Sequence, residues 1–200
     1  MKTDFKKSID AYRARRGVFR IVDVPPLQYL AVDGEGDPNT APAFSAAISA
    51  LYPVGYALKF ASKRLLDRDY VVMPLEALWW AEDMDTFTTA RDKSQWKWTL
   101  LNLVPEWISD DLVDRARRAA PDAPLLERLR IETLDEGTSV QTLHVGTYDD
   151  EAPLLEQMHG EFIPERLRLT GRHHEIYFSD PRRTDPSKLK TLLRQPVVPA

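Results

Sequence analysis

The sequence predicts an α+β fold. It reads as two pseudo-symmetric strand–helix–strand–strand modules with antiparallel sheets around a central ligand cleft. Three observations lead there. Short apolar, β-branched runs bounded by turn residues recur along the chain. One long stretch, from Ala43 to Leu66, has helical periodicity. The second half then repeats the order of the first.

The elements follow in order. "VFRIVDV" (18–24) and "QYLAVDG" (28–34) are strand-like runs separated by Pro25-Pro26. "EGDPNTAP" is turn chemistry, with Asn39 or Thr40 as helix cap and Pro42 in the first turn. From Ala43 to Leu66, Phe44, Ala47, Ile48 and Leu51 share a helical face. Pro53 is expected to kink or split this helix, because proline lacks an N–H. "DYVVMPLEALWW" (69–80) is a strand, with Pro74 marking an edge or bulge. "TFTTARDKS" (86–94) is a connection with a short helical turn, and "QWKWTLLNLVP" (95–105) is a strand.

Ser109 caps a connecting helix over about 109–120. Asp110 and Asp111 lie in its first turn and Arg115, Arg117 and Arg118 in its last, as the helix dipole favours. "LRIETL" and "SVQTLHVG" flank Asp135-Glu136-Gly137 and read as a hairpin. "DDEAPLLEQMHGEF" starts a helix, and "HHEIYFSD" and "KLKTLLRQPV" close the chain as strands. The echo between halves pairs Pro53 with Pro164, Glu76 with Glu175 and Thr99 with Thr191. It defines a repeat over about 18–107 and about 125–200 within one domain of residues 1–200.

A chain of 200 residues buries about 70% of its unfolded surface and needs no staples. It has no cysteine, which excludes disulfides, thiolate metal sites and cysteine nucleophiles and suits a cytoplasmic location. The start carries charges but no apolar signal region, and no run is long enough to span a membrane. A net charge of −4 argues against direct nucleic-acid binding. The histidines His144, His159, His173 and His174 form no ligand pattern. No nucleotide or metal motif occurs, so no cofactor is expected.

The stretch "HHEIYFS" carries the chemistry. As a strand it puts His173, Glu175, Tyr177 and Ser179 on one face and His174, Ile176 and Phe178 on the other. The first face looks either at water or at something that wants a negative charge beside an aromatic ring. Glu76 lies at the equivalent place in the first half. Its face continues to Leu78 and Trp80, while Ala77 and Trp79 take the other, and that parity favours Trp80 in the cleft. Trp96 and Trp98 share a face and so are both cleft or both core, with the cleft preferred. Tyr148 sits where a strand enters a helix. Asp149, Asp150 and Glu151 behind it read as first-turn acids stabilising that helix rather than as catalysts. Tyr29 and Tyr56 are further candidates for the groove.

"YLAVDGEGDPN", "PLEALWW", "LHVGTYDDEAP" and "HEIYFSDPRRTDPSKLKTLLRQPV" together resemble the GyrI-like small-molecule-binding family, in order and over most of the chain. The resemblance implies a pocket carboxylate at Glu175, two residues before Tyr177. It implies binding of hydrophobic, aromatic and in part cationic small molecules, for which the lining candidates read from parity and position are Trp80 or Trp79, Tyr148, Trp98, Trp96, Tyr29 and Tyr56. The alternative it implies is a cofactor-free hydrolase that opens cyclopropane-bearing DNA-alkylating compounds, with Glu175 activating water and Glu76 or Tyr177 assisting. A homodimer, or a partner protein that receives the ligand signal, is compatible with either reading.

Overall fold

The computed structural model describes residues 2–82, 92–163 and 167–200. In chain order the elements are β1 (Lys2–Thr3), α1 (Phe5–Ser8), β2 (Arg20–Val24), β3 (Leu27–Glu35), α2 (Pro42–Leu66), β4 (Asp69–Tyr70), β5 (Leu75–Trp80) and β6 (Lys97–Leu103). They continue with α3 (Asp110–Ala119), β7 (Arg130–Leu134), β8 (Gly137–Val145), α4 (Ala152–Gln157), β9 (Leu167–Leu169), β10 (His173–Tyr177) and β11 (Lys190–Pro199). The α+β prediction holds, and apart from the short parallel pair β1–β4 the registered strand pairs are antiparallel. None of the described helices is long and apolar enough to cross a membrane. The expected turn over 86–94 and Pro164 of the repeat lie, in whole or in part, outside the described residues.

The chain forms two compact units. One comprises Met1–Phe5, Leu27–Met73 and Ala77–Leu134, and the other Lys6–Pro26, Pro74–Glu76 and Asp135–Ala200. This partition differs from the expected halves. β2 belongs to the second unit because it pairs with β8 from Arg20↔Gln141 to Val24↔Gly137. β7 belongs to the first because it pairs with β3 from Leu27↔Leu134 to Ala31↔Arg130. The hairpin expected at Asp135-Glu136-Gly137 therefore does not form. Backbone groups must find partners, and each early strand finds them on a strand distant in sequence.

In the first unit β3 is central, flanked by β6 and β7. Helix α2 runs as one element through Pro53, so the helix is not split there. Burial of Ala47, Ala50, Leu51, Val54, Leu58 and Ala61 along one stripe outweighs the lost hydrogen bond, a cost of about 3 kcal/mol. Its N-cap is Ala41 rather than Asn39 or Thr40. The turn is held instead by Asp37, whose Oδ1 accepts from Asn39 N at 2.9 Å and whose carbonyl accepts from Ala41 N at 2.7 Å.

The sheet face under α2 is aromatic. Phe44 of α2 meets Trp98 edge-on at 5.1 Å and stacks on Trp79 at 6.0 Å, and Trp96 meets Trp79 edge-on at 5.7 Å. Gly34 of β3 lies directly opposite Trp98 of β6, and the indole covers it.

The second unit runs β2–β8–β11–β10, with β9 pairing the far end of β11. Helix α4 continues as a π-helical turn over Met158–Phe162. Met158 and Ile163 close over Val140, Leu193 and Val197 of the sheet, and Phe162 stacks on Phe19 at 5.1 Å.

A Cβ added at Gly34 would lie 2.0 Å from the Trp98 ring. Gly34→Ala is therefore expected to cost about 1–3 kcal/mol, read as a lower urea midpoint. Pairing it with Trp98→Leu should recover part of the loss.

Candidate functional site

Strand β10 is bonded to β11 in a register that sets Glu175 opposite Leu193 and Tyr177 opposite Thr191. β11 in turn sets Leu193 opposite Thr142 and Thr191 opposite His144. Directly opposed residues share a face. Glu175, Tyr177, Thr191, His144 and Leu193 therefore look the same way, toward the side on which Met158 packs against Leu193. The sequence left open whether this face looks at water or at a partner for a negative charge. The structure places it on the helix-covered face, beside the segment that leads into α4.

Glu175 is the anchor of this cluster, with its side chain 14% exposed. Tyr177 Oη donates to Glu175 Oε2 at 2.7 Å. His173 Nε2 stands 3.5 Å from Glu175 Oε1. The Tyr148 ring meets the Tyr177 ring edge-on at 5.7 Å, their planes 80° apart. Glu175 is thus bonded to one phenol, whose ring a second tyrosine meets edge-on.

Glu151 completes the cluster, and the sequence reading missed it. It follows the single helical turn Tyr148–Asp150 and immediately precedes α4. Asp149 and Asp150 are exposed, as expected of first-turn acids, but Glu151 is only 5% exposed. Its Oε1 has no hydrogen-bond partner among the described residues. Burial, reinforced by the negative charges of Glu175 and Asp149, holds its carboxyl well above the usual carboxylate range. The Thr191 hydroxyl lies near enough to favour the anion but falls outside hydrogen-bond geometry, and it does not reverse the direction. Burial thus favours the protonated form of Glu151. Burial and the charges of Glu151, Glu175 and Asp180 likewise push the Tyr148 phenol up to about 12. No sequence signal separates Glu151 from the two acids before it.

Glu76 is not part of this cluster. It is fully buried, accepts a hydrogen bond from Tyr12 Oη at 2.6 Å and lies 3.1 Å from His174 Nε2. His174 alternates with Glu175 along β10, so Glu76 sits on the opposite face from Glu175. Its expected assisting role is replaced by membership of a buried ion network. His174 Nδ1 donates to Glu136 Oε1 at 2.9 Å, and Arg194 Nη1 donates to Glu136 Oε2 at 2.7 Å. Arg194 also donates from Nε to Gln141 Oε1 at 3.0 Å and from Nη2 to the Ala11 carbonyl at 2.7 Å.

The aromatic candidates separate as well. Trp98 is wholly buried under Phe44, and Trp96 packs on Trp79 just before β6, so the preferred cleft placement gives way to core for Trp98. Trp79 faces Phe44. Trp80 is half-buried on the other side of β5 with Leu78, keeping the expected parity. Tyr29 is fully buried on β3, and Tyr56 is exposed on α2. A hollow of about 330 Å³ lies elsewhere in the first unit, lined by Ala57, Phe60, Arg64 and Leu65 of α2 and by Arg115 of α3. Among the described residues no three His, Asp or Glu side chains gather as metal ligands.

The chain belongs to the GyrI-like small molecule binding domain family, which it matches over residues 18–198. It is similar to the crystal structure of an uncharacterized conserved protein from Listeria innocua, at 35% identity and TM-score 0.88, covering 98% of this chain and 100% of that one. It is similar to a hydrolase from Listeria innocua, at 33% identity and TM-score 0.84, with 98% and 100% covered. A second hydrolase from that organism shares 32% identity at TM-score 0.87, with 99% and 100% covered. No curated protein matches the chain.

The ion network sets a pH window for stability. Burial opposes the charge on His174, but Glu136 and Glu76 prevail and raise its pKa from 6.5 to about 9. That contribution is fully present below 6.5 and is lost as pH rises through about 9. Burial opposes the charge on Glu136 too, but His174 and Arg194 lower its pKa from 4.5 to about 2. That contribution is present above 4.5 and is lost as pH falls through about 2. Thermal melts should show greatest stability between these limits and a decline on both sides. Glu136→Gln should destabilise by about 3–5 kcal/mol in urea titrations near pH 6.

Proposed function

We propose that this chain is a cofactor-free hydrolase of hydrophobic, aromatic small molecules bearing a strained electrophilic carbon, of which cyclopropane-bearing DNA-alkylating compounds are the type. The observation that carries this reading is the placement of Glu175. It is largely withdrawn from water, bonded by Tyr177 and flanked by Tyr148. A carboxylate so held can take a proton from water while that water's oxygen attacks carbon. Tyr177 fixes its orientation, and the tyrosine rings supply apolar area for an aromatic substrate. The two relatives that are named hydrolases, similar over nearly their whole length, support turnover.

A second reading is binding without chemistry. One carboxylate among aromatic rings also suits a lipophilic cation, and the family description is that of a binding domain. In that case the chain sequesters or senses a range of drug-like compounds, alone, as a homodimer or with a partner protein. The recurrence of strand, helix, strand, strand as β3–α2–β5–β6 and β8–α4–β10–β11 supports an internal repeat under either reading.

Incubation with a cyclopropane-bearing alkylator and chromatography of the ring-opened product tests the choice. The wild-type chain is expected to turn over many equivalents. Glu175→Gln should lower kcat about 10²-fold or more while still binding substrate. Undiminished turnover by that variant would remove Glu175 as base. Tight binding with no product from the wild-type chain would leave the binding reading.

A further inference from the structure

Three acids occur in succession before α4, and the fold treats them differently. Asp149 and Asp150 stay in water, and Thr147 Oγ1 donates to Asp150 Oδ2 at 2.6 Å. Glu151 turns inward, and one of its oxygens is left without a partner. An anion withdrawn from water without a cation or a full set of donors is strongly disfavoured, so such a group keeps its proton. A protonated carboxyl is also a hydrogen-bond donor and an acid. Glu151 shares its surroundings with Glu175, whose negative charge acts on it directly. Titratable groups beside the pair include Tyr177 and His173 of β10, Tyr148 and Asp149 of the preceding turn, Asp180 acting on Tyr148, and His159 of the π-helical turn, on which His173 acts. Among the described residues no lysine or arginine acts on Glu151 strongly enough to shift it. A buried carboxyl with an unpartnered oxygen, beside a second carboxyl that a phenol holds by hydrogen bond, forms the kind of pair between which acid and base roles are divided.

We infer that Glu151 is the proton donor of this site: a buried carboxylic acid that protonates the leaving oxygen of the substrate while Glu175 deprotonates the attacking water. The inference rests on the hydrolase reading above. In the step, the water oxygen bonds to a ring carbon and gives its proton to Glu175. The strained carbon–carbon bond breaks, and its electron pair passes into the conjugated carbonyl. That carbonyl oxygen takes the proton of Glu151. The product is the substrate plus one water, and the proton on Glu175 returns to Glu151 through solvent.

The test uses Glu151→Gln, which keeps the shape and the neutrality of the protonated acid and is therefore expected to fold with an unchanged melting temperature. Two cyclopropanes conjugated to dienones are compared, one opening to an ordinary phenol and one to a strongly acidic nitrophenol. Glu151→Gln should lower kcat about 10²-fold on the first, with little change in KM, and far less on the second, whose leaving oxygen needs no acid. Infrared difference spectra at pH 7 should show a protonated-carboxyl stretch in the wild-type chain that is missing from the variant. Equal loss on both substrates, or no loss on either, overturns the assignment of Glu151 alone. Absence of the stretch from the wild-type spectrum does the same. No product from the wild-type chain with either substrate overturns the hydrolase reading and this inference with it.

Discussion

The fully buried contact of His174 with Glu136 fixes the strand on which the site depends. A charged histidine without water is tolerable only beside an anion, and Glu136 supplies it while Arg194 balances the second oxygen. Because Arg194 also holds the Ala11 carbonyl, and Tyr12 reaches Glu76, the early segment is tied to the sheet through the same charges. β10 is thereby held on its inner face, and strand alternation then decides where its other side chains go.

That alternation separates two chemistries on one strand. His174 and Ile176 point into the buried face, where charge is neutralised by counter-charge. Glu175 and Tyr177 point to the face where Tyr148 and Glu151 arrive from the turn before α4. A shift of one residue in the pairing with β11 would exchange the two sets. The register Glu175↔Leu193 is therefore as much a feature of the site as the carboxylate itself.

The first unit solves a different problem with the same elements. Its helix covers the sheet through stacked rings rather than ions, and Gly34 leaves the space that the Trp98 indole fills. An aromatic lining was expected to be ligand contact. Much of it is core, because a ring with a helix directly above it has already found its apolar partner.

Local pattern was enough for element type. Period-two alternation marked the strands, the α2 stripe marked its helix, and the spacing Glu175–Tyr177 announced a shared face. The pattern misled where a local rule met a larger energy, as at Pro53, where buried side chains carry the helix through.

The sequence by itself determined the α+β class, the order of strands and helices and the carboxylate–phenol pair, since each depends on neighbours a few residues apart. Only the tertiary structure decided that β2 pairs with β8 and β7 with β3, that Glu76 joins an ion network, and that Glu151 is the buried acid. Those outcomes depend on which distant groups exclude water from a given atom. Three adjacent carboxylates look alike until the fold leaves two in solvent and closes over the third.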